Sequence, residues 1–243
     1  MISSRTDQTS QNSFTLLPGT YEGWDTRAML ADVLLQVFPG RIALVSSFGT
    51  DSAALLHLVA TIEPATPVIF LETGKLFPET LQYQLDLTRR LNLTDVRVVR
   101  PNPRALADDD PVGNLWDSNP DLCCWHRKVE PLDAALAGFR AWITGRKRFQ
   151  GALRTALPRV EHDADGRTKV NPLADWSEAD VLRYMLAHDL PQHPLKAQGF
   201  RSVGCAPCSR ASRAGEGVRD GRWAGRGKTE CGIHLPRAPA HAT

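Results

Sequence analysis

Residues 41–59 read RIALVSSFGTDSAALLHLV. An apolar, β-rich run, RIALVSS, passes through Phe48, Gly49, Thr50 and Asp51 into a helical pattern that begins near Ser52. Small hydroxyls and a glycine at a helix start leave backbone N–H groups free to meet an anion. In a parallel sheet the first such turn lies at the carboxyl edge, where ligands bind. The spacing is neither the Walker loop nor the dinucleotide fingerprint. Taken alone, the stretch supports a phosphate cradle and a plain N-cap at Asp51 or Ser52 equally.

The alternation continues outward from this stretch. PVIFLET, VRVVR and AWITG are further short apolar runs, separated by helical patterns such as FPETLQYQLDLTRRLN. Strands alternating with helices predict an α/β fold, a mostly parallel sheet with helices on both faces. PLADWSEADVLRYMLAHDL predicts a later helix, capped by Ser177 or Asp175, with Val181, Leu182, Met185 and Leu186 on its apolar face. NPRALADDDPVGNLWDSNPD predicts a loop that carries the residues after it out of the core. The polar residues 1–17 predict a flexible N-terminus, residues 18–224 one domain, and the Gly- and Pro-rich residues 225–243 a mobile C-terminal tail.

The 243 residues are 42% hydrophobic and 23% charged with a net charge of +2, which excludes the strong basic excess of a dedicated nucleic-acid binder. No apolar run approaches the roughly 20 residues that cross a bilayer, and the first residues lack the apolar centre of a signal peptide. A cytoplasmic protein with reduced thiols is expected, so patterned cysteines point to metal binding or catalysis rather than to disulfides.

There are five cysteines. Cys123 and Cys124 are adjacent in CCWHRK, a spacing that suits a disulfide poorly because the bond has strict geometry. Cys205 and Cys208 follow at Cys-x-x-Cys spacing in GCAPCSR. Two close sets of thiolates are what a compact four-sulfur site needs. Spacing leaves zinc and iron-sulfur open, although a vicinal pair is unusual for structural zinc. A redox Cys-x-x-Cys pair with two buried thiols is the reading without metal. Cys231, in KTECGIH, is the odd one out, and with Lys228 and His234 near it a thiolate nucleophile is expected there.

The first loop resembles the Ser-Gly-Gly-x-Asp-Ser loop of the adenine-nucleotide alpha-hydrolase superfamily, with Phe48 in place of the first glycine. A bulky residue there is expected to narrow the room for a triphosphate. CCWHRK, GCAPCSR and ECGIH, in that order, resemble the assimilatory adenylylsulfate (APS) reductases in their iron-sulfur form, within the PAPS/APS reductase family. LETGKLFPETL, WITGRKRFQGALR, NPLADWS and RDGRW fit as well, and the likeness runs from about Arg41 to His234. Glu72 and Gly151 depart from the family pattern, where Asp and Ser are usual.

The resemblance implies reduction of adenosine 5'-phosphosulfate to sulfite and AMP through an S-sulfocysteine on Cys231, with thioredoxin or glutaredoxin as reductant. It implies a 4Fe-4S cluster on Cys123, Cys124, Cys205 and Cys208. It further implies substrate contacts from Ser46, Ser47, Gly49, Leu71, Thr73, Lys128, Arg154, Arg219 and Arg222. Oligomeric state is left open, and no nucleic acid or membrane is implied. The rivals are reduction of the 3'-phosphorylated substrate (PAPS), whose dedicated enzymes usually lack the two cysteine pairs, an ATP pyrophosphatase, and a zinc-binding interaction module.

Overall fold

The structure, a computed structural model, describes residues 16–163 and 165–235. Helix α1 (Thr26–Asp32) leads into β1 (Ile42–Val45), α2 (Ser52–Ala60), β2 (Val68–Leu71), α3 (Pro78–Arg90) and β3 (Val96–Val99). Short helices α4 (Pro103–Asp109), α5 (Leu115–Ser118), α6 (Pro120–Cys124) and α7 (Glu130–Ala135) come before β4 (Ala141–Thr144), β5 (Val160–His162), β6 (Thr168–Val170) and α8 (Glu178–Ala187).

The six strands lie in the order β3-β2-β1-β4-β6-β5 and all pair in parallel except β5 with β6. Alternate side chains divide the protein into two cores, because successive residues of a strand face opposite ways. Ile42, Leu44, Val68, Phe70 and Ile143 face α1, α2, α3 and α8 in the larger core. Ala43, Ile69 and Trp142 face Leu132 on α7 and neighbouring Leu136 in the smaller one. Strands covered on both faces read as unbroken apolar runs, which is why RIALV and PVIFL are legible in the sequence.

Three expectations need correction. The stretch before the cysteine pair is not a loop: it forms α4 and α5, started by Pro103 after the Asn102 cap and by Asn114. The cysteines it was expected to carry outward are buried on α6. Helix α8 is capped by Ser177 as expected, through a box with Asp180, but Leu182 and Leu186 are exposed and only Val181 and Met185 enter the core. Phe48 does not narrow the ligand space: it is fully buried, edge-on to Phe70 with ring centroids 5.2 Å apart. Its φ of 47° is left-handed, a conformation natural to the glycine found there in the resembled loop.

The helical run from α6 to α7 widens into a π turn over Trp125–Val129. Pro131 has no N–H to give the carbonyl four residues back, so the regular ladder is interrupted there.

The buried His193 gives the fold a pH limit. Its Nδ1 accepts from the Leu195 N–H at 3.2 Å, so Nε2 carries the proton and donates to the Thr80 hydroxyl at 3.0 Å. Burial pulls its pKa from 6.5 to about 4. The unfolded chain therefore takes a proton that the native state refuses. Stability is complete above pH 6.5 and falls as the pH drops toward 4, by up to about 3 kcal/mol. Urea titrations at stepped pH should show this loss in the native protein and a flatter profile in His193→Asn, which keeps an acceptor for Leu195 but does not titrate.

Candidate functional site

The strand order reverses between β1 and β4, and a cavity opens at the carboxyl ends of these strands, as expected at a topological switch point. Ser46, Ser47 and Gly49 line it from the loop after β1, Leu71 and Thr73 from the end of β2, and Arg154 from beyond β4. Lys128, Arg219, Arg222 and Cys231 complete it from distant parts of the chain. A second, smaller cavity is lined by Cys123, Cys124, Cys205 and Cys208, and Lys128 and Trp223 line both.

The β2 end ties the two cavities together. Arg127 donates to the Thr73 carbonyl at 2.7 Å and is held by the buried Asp110 carboxylate at 2.5 Å. That carbonyl is therefore already engaged, and the Thr73 hydroxyl accepts from the Lys75 N–H at 3.2 Å. The Thr73 hydroxyl lies 3.3 Å from the Cys205 sulfur, and Ala206 N–H donates to the Lys75 carbonyl at 2.7 Å. One loop thus fixes the Cys-x-x-Cys segment against the ligand space.

All five cysteines are free. Burial pushes the Cys124 thiol up to about 12, and burial likewise raises Cys123 and Cys208. Burial would also raise Cys205, but the Lys128 ammonium, the Thr73 hydroxyl and the Arg222 guanidinium outweigh it and pull that thiol below its ordinary value. Four buried sulfurs on one small cavity are a soft donor set that a metal centre would neutralise. Among the described residues no three His, Cys, Asp or Glu side chains converge closely enough to hold a single ion. What the four cysteines share is the chemistry of the donor set, four sulfurs lining one cavity.

Cations crowd the larger cavity. Arg146 and Arg219 are pushed down to about 10 by burial and by the charge of Arg154. Arg222 lies where a β-carbon on Gly204 would stand, donates to the Val203 carbonyl at 3.1 Å and stacks 4.5 Å over Trp223. Its Nε has no hydrogen-bond partner among the described residues, nor has Nδ1 of His234. Buried polar atoms of this kind call for a partner from outside the protein.

Residues 225–235 are seated on the domain. Arg226 pairs with Asp117 at 2.8 Å, Lys228 with Asp121, and Glu230 with Arg154 and Arg219. His234 stacks on Trp142 at 5.5 Å, and Ile233 packs into the smaller core. Cys231 packs against Cys205, Cys208 and Trp223.

Residues 41–211 match the phosphoadenosine phosphosulfate reductase domain. The chain belongs to that family. Its curated relatives include the adenosine 5'-phosphosulfate reductase of Mesorhizobium japonicum, 54% identical over 82% of this chain and 78% of that protein. The phosphoadenosine 5'-phosphosulfate reductase of Gloeobacter violaceus is 39% identical over 92% and 94%. A crystal structure of a Candida auris PAPS reductase in a phosphate complex superposes with a TM-score of 0.66 at 25% identity, covering 77% of this chain and 91% of that one. Yeast FAD synthetase, at 0.55 and 17%, shares the fold.

In this member of the reductase family, every expected substrate residue and Cys231 line one cavity. The neighbours expected to charge Cys231 are a different matter. Lys228 is engaged by Asp121, and His234 is held neutral, well below 6.5, by burial and by Arg146, Arg154, Lys169 and Arg219. The cations facing Cys231 are Lys128 and Arg219. Sequence reasoning also missed Arg146, Lys147, Trp223 and Glu230. Arg146 and Lys147 directly follow a strand at the switch point, a signal that could have found them. The partnership of Glu230 with Arg154 spans 76 residues and leaves no trace in local pattern. Residues 1–15 and 236–243, the ends of the two segments expected to be flexible, lie outside the described residues.

Proposed function

We propose that the chain is an APS reductase of sulfate assimilation, reducing adenosine 5'-phosphosulfate to sulfite and AMP. The observation that carries this is the meeting of Cys231 with Lys128, Arg154, Arg219 and Arg222 in the cavity that also holds the loop after β1. Relatives named for this reaction at 54% and 49% identity support it.

Ser46, Ser47 and Gly49 hold the nucleotide, Leu71 and Thr73 border the adenine, and the guanidinium forks take the oxyanions. The Cys231 thiolate attacks the sulfate sulfur. The bond from sulfur to the phosphate oxygen breaks, AMP leaves with the electron pair, and the arginines stabilise its charge as it forms. The product on the protein is an S-sulfocysteine, Cys231 Sγ bonded to SO3−. A thiolate of thioredoxin or glutaredoxin then attacks Cys231 Sγ, sulfite departs, and the reductant's second thiol resolves the mixed disulfide, returning Cys231 reduced. The two electrons come from the dithiol.

Residues 18–224 form the catalytic domain in this reading, and residues 225–243 a tail that releases Cys231 to the partner protein. Cys123, Cys124, Cys205 and Cys208 would hold a 4Fe-4S cluster, which when bound gathers four thiolate charges beside Lys128. Burial works against the Lys128 charge, but the facing sulfurs of Cys205 and Cys231 more than offset it and hold the ammonium protonated. Among the described residues no helix is long and apolar enough to cross a membrane, which is compatible with a cytoplasmic enzyme.

The Gloeobacter and Candida relatives, named for the 3'-phosphorylated substrate, keep that alternative in view. Steady-state assays with both nucleotides decide between them: kcat/KM should favour APS, and a preference for PAPS overturns the assignment. Anaerobic purification should yield about four irons and four sulfides per chain. A colourless zinc protein with full activity would remove the cluster.

A further inference from the structure

The cations of the larger cavity are matched unevenly. Arg146 is paired with Glu161, and Lys147 lies 3.5 Å from Asp51. Arg154 and Arg219 share one carboxylate, that of Glu230. Arg154 Nε donates to Glu230 Oε1 at 2.6 Å and its terminal nitrogen to Oε2 at 2.9 Å, while Arg219 reaches Oε2 at 3.1 Å. This is a two-pronged guanidinium fork on paired oxygens, the arrangement with which arginine binds a phosphate or sulfate group. Glu230 is only 7% exposed, which strengthens these bonds by lowering the surrounding dielectric.

We infer that Glu230 is an internal stand-in for the substrate's anion: it occupies the Arg154–Arg219 fork while the cavity is empty, and the incoming phosphosulfate takes the fork by displacing it. The inference rests on the proposed function, in which these two arginines bind the substrate's oxyanions. Two anions cannot share the fork, because the buried carboxylate would then lose its partners and face like charge in a medium of low dielectric. Burial alone would raise the Glu230 carboxyl, yet the Arg154 hydrogen bonds and the charges of Arg219 and Arg146 hold it below the ordinary carboxylate value. It therefore leaves the fork as an anion, not by taking a proton.

Displacement moves the nucleophile, because Glu230 and Cys231 share a peptide bond. Gly232 follows at φ 96°, a conformation that other residues rarely adopt, and so provides the joint about which the pair can turn. Binding of the anion and release of the Cys231 segment are thus one event. Anion binding thus shifts a thiol that already lines the cavity. Glu230 acts here as a positioning residue and touches no reacting atom.

The test uses the full chain, purified anaerobically, with AMP as the probe. If the fork is held by Glu230 about nine-tenths of the time, removing its charge should tighten AMP binding about tenfold in Glu230→Gln. The KM for APS should fall with it, and iodoacetamide should alkylate Cys231 faster in the ligand-free variant. Glu230→Asp, which restores the charge, should bring AMP affinity back toward the native value. A role confined to holding the arginines in place predicts the opposite sign, so unchanged or weaker AMP binding in Glu230→Gln, with native melting behaviour, overturns the inference. Tighter AMP binding in a protein that does not reduce APS would leave the stand-in role in place and remove the proposed function. Normal reduction of APS with no tightening would do the reverse. A native protein that binds no AMP removes both.

Discussion

Incubated with APS and no thioredoxin, the native protein should gain the mass of one SO3 group on Cys231, and Cys231→Ser should gain nothing and lose at least about 10³-fold in kcat. The size of the effect follows from the chemistry. A serine hydroxyl at neutral pH is neither ionised nor soft, so it is a poor nucleophile toward sulfate sulfur. Around Cys231 stand the sulfurs of Cys205 and Cys208, the Trp223 ring, and the Lys128 and Arg219 cations. The other four thiols cannot substitute, since they line the separate, smaller cavity. AMP binding to Cys231→Ser should stay close to native, because the arginines and the loop after β1 are untouched. Intact mass reads the adduct, and tryptic peptide mapping places it on Cys231. An unmodified Cys231 in a protein that turns over with thioredoxin would overturn the mechanism.

Lys128→Ala should lower kcat/KM by about 10²- to 10³-fold while iron and sulfide per chain stay unchanged. Lys128 is the residue that lines both cavities with a formal positive charge, facing the sulfurs of Cys205 and Cys231. Removing it leaves the sulfurs without the compensating charge and the developing AMP oxyanion without one of its cations. Lys128→Gln, which keeps the volume of the stem, should fall nearly as far, whereas loss of packing alone would spare it. Lys128→Arg should recover only part of the rate, because a flat guanidinium does not fit the place of a compact ammonium. Activity within a few-fold of native in Lys128→Gln would show that the ammonium is not used.

How far these residues could be read in advance differs with the kind of signal. Four parallel strands were legible because each is a short apolar run with helical periodicity on either side. The β5–β6 hairpin was not, since three-residue strands such as Val160–His162 carry too little pattern. The short helices before Cys123 were also hidden. Asp, Pro, Gly and Asn dominate that stretch, and the same residues that end helices also start them. The cysteines could be sorted by count and spacing, and the arginines by their motifs, because both rest on local order along the chain.

Local order therefore determined the fold class, the two cysteine pairs, the odd cysteine and the loop after β1 that lines the larger cavity. Tertiary structure alone decided which charges meet: that Lys128 rather than Lys228 faces Cys231, that Phe48 belongs to the core, and that Glu230 fills the Arg154–Arg219 fork. Those outcomes depend on contacts between residues tens of positions apart, across strands and loops whose placement the sheet dictates. A charge's partner is set by where the backbone brings it, and spacing along the chain carries no record of that.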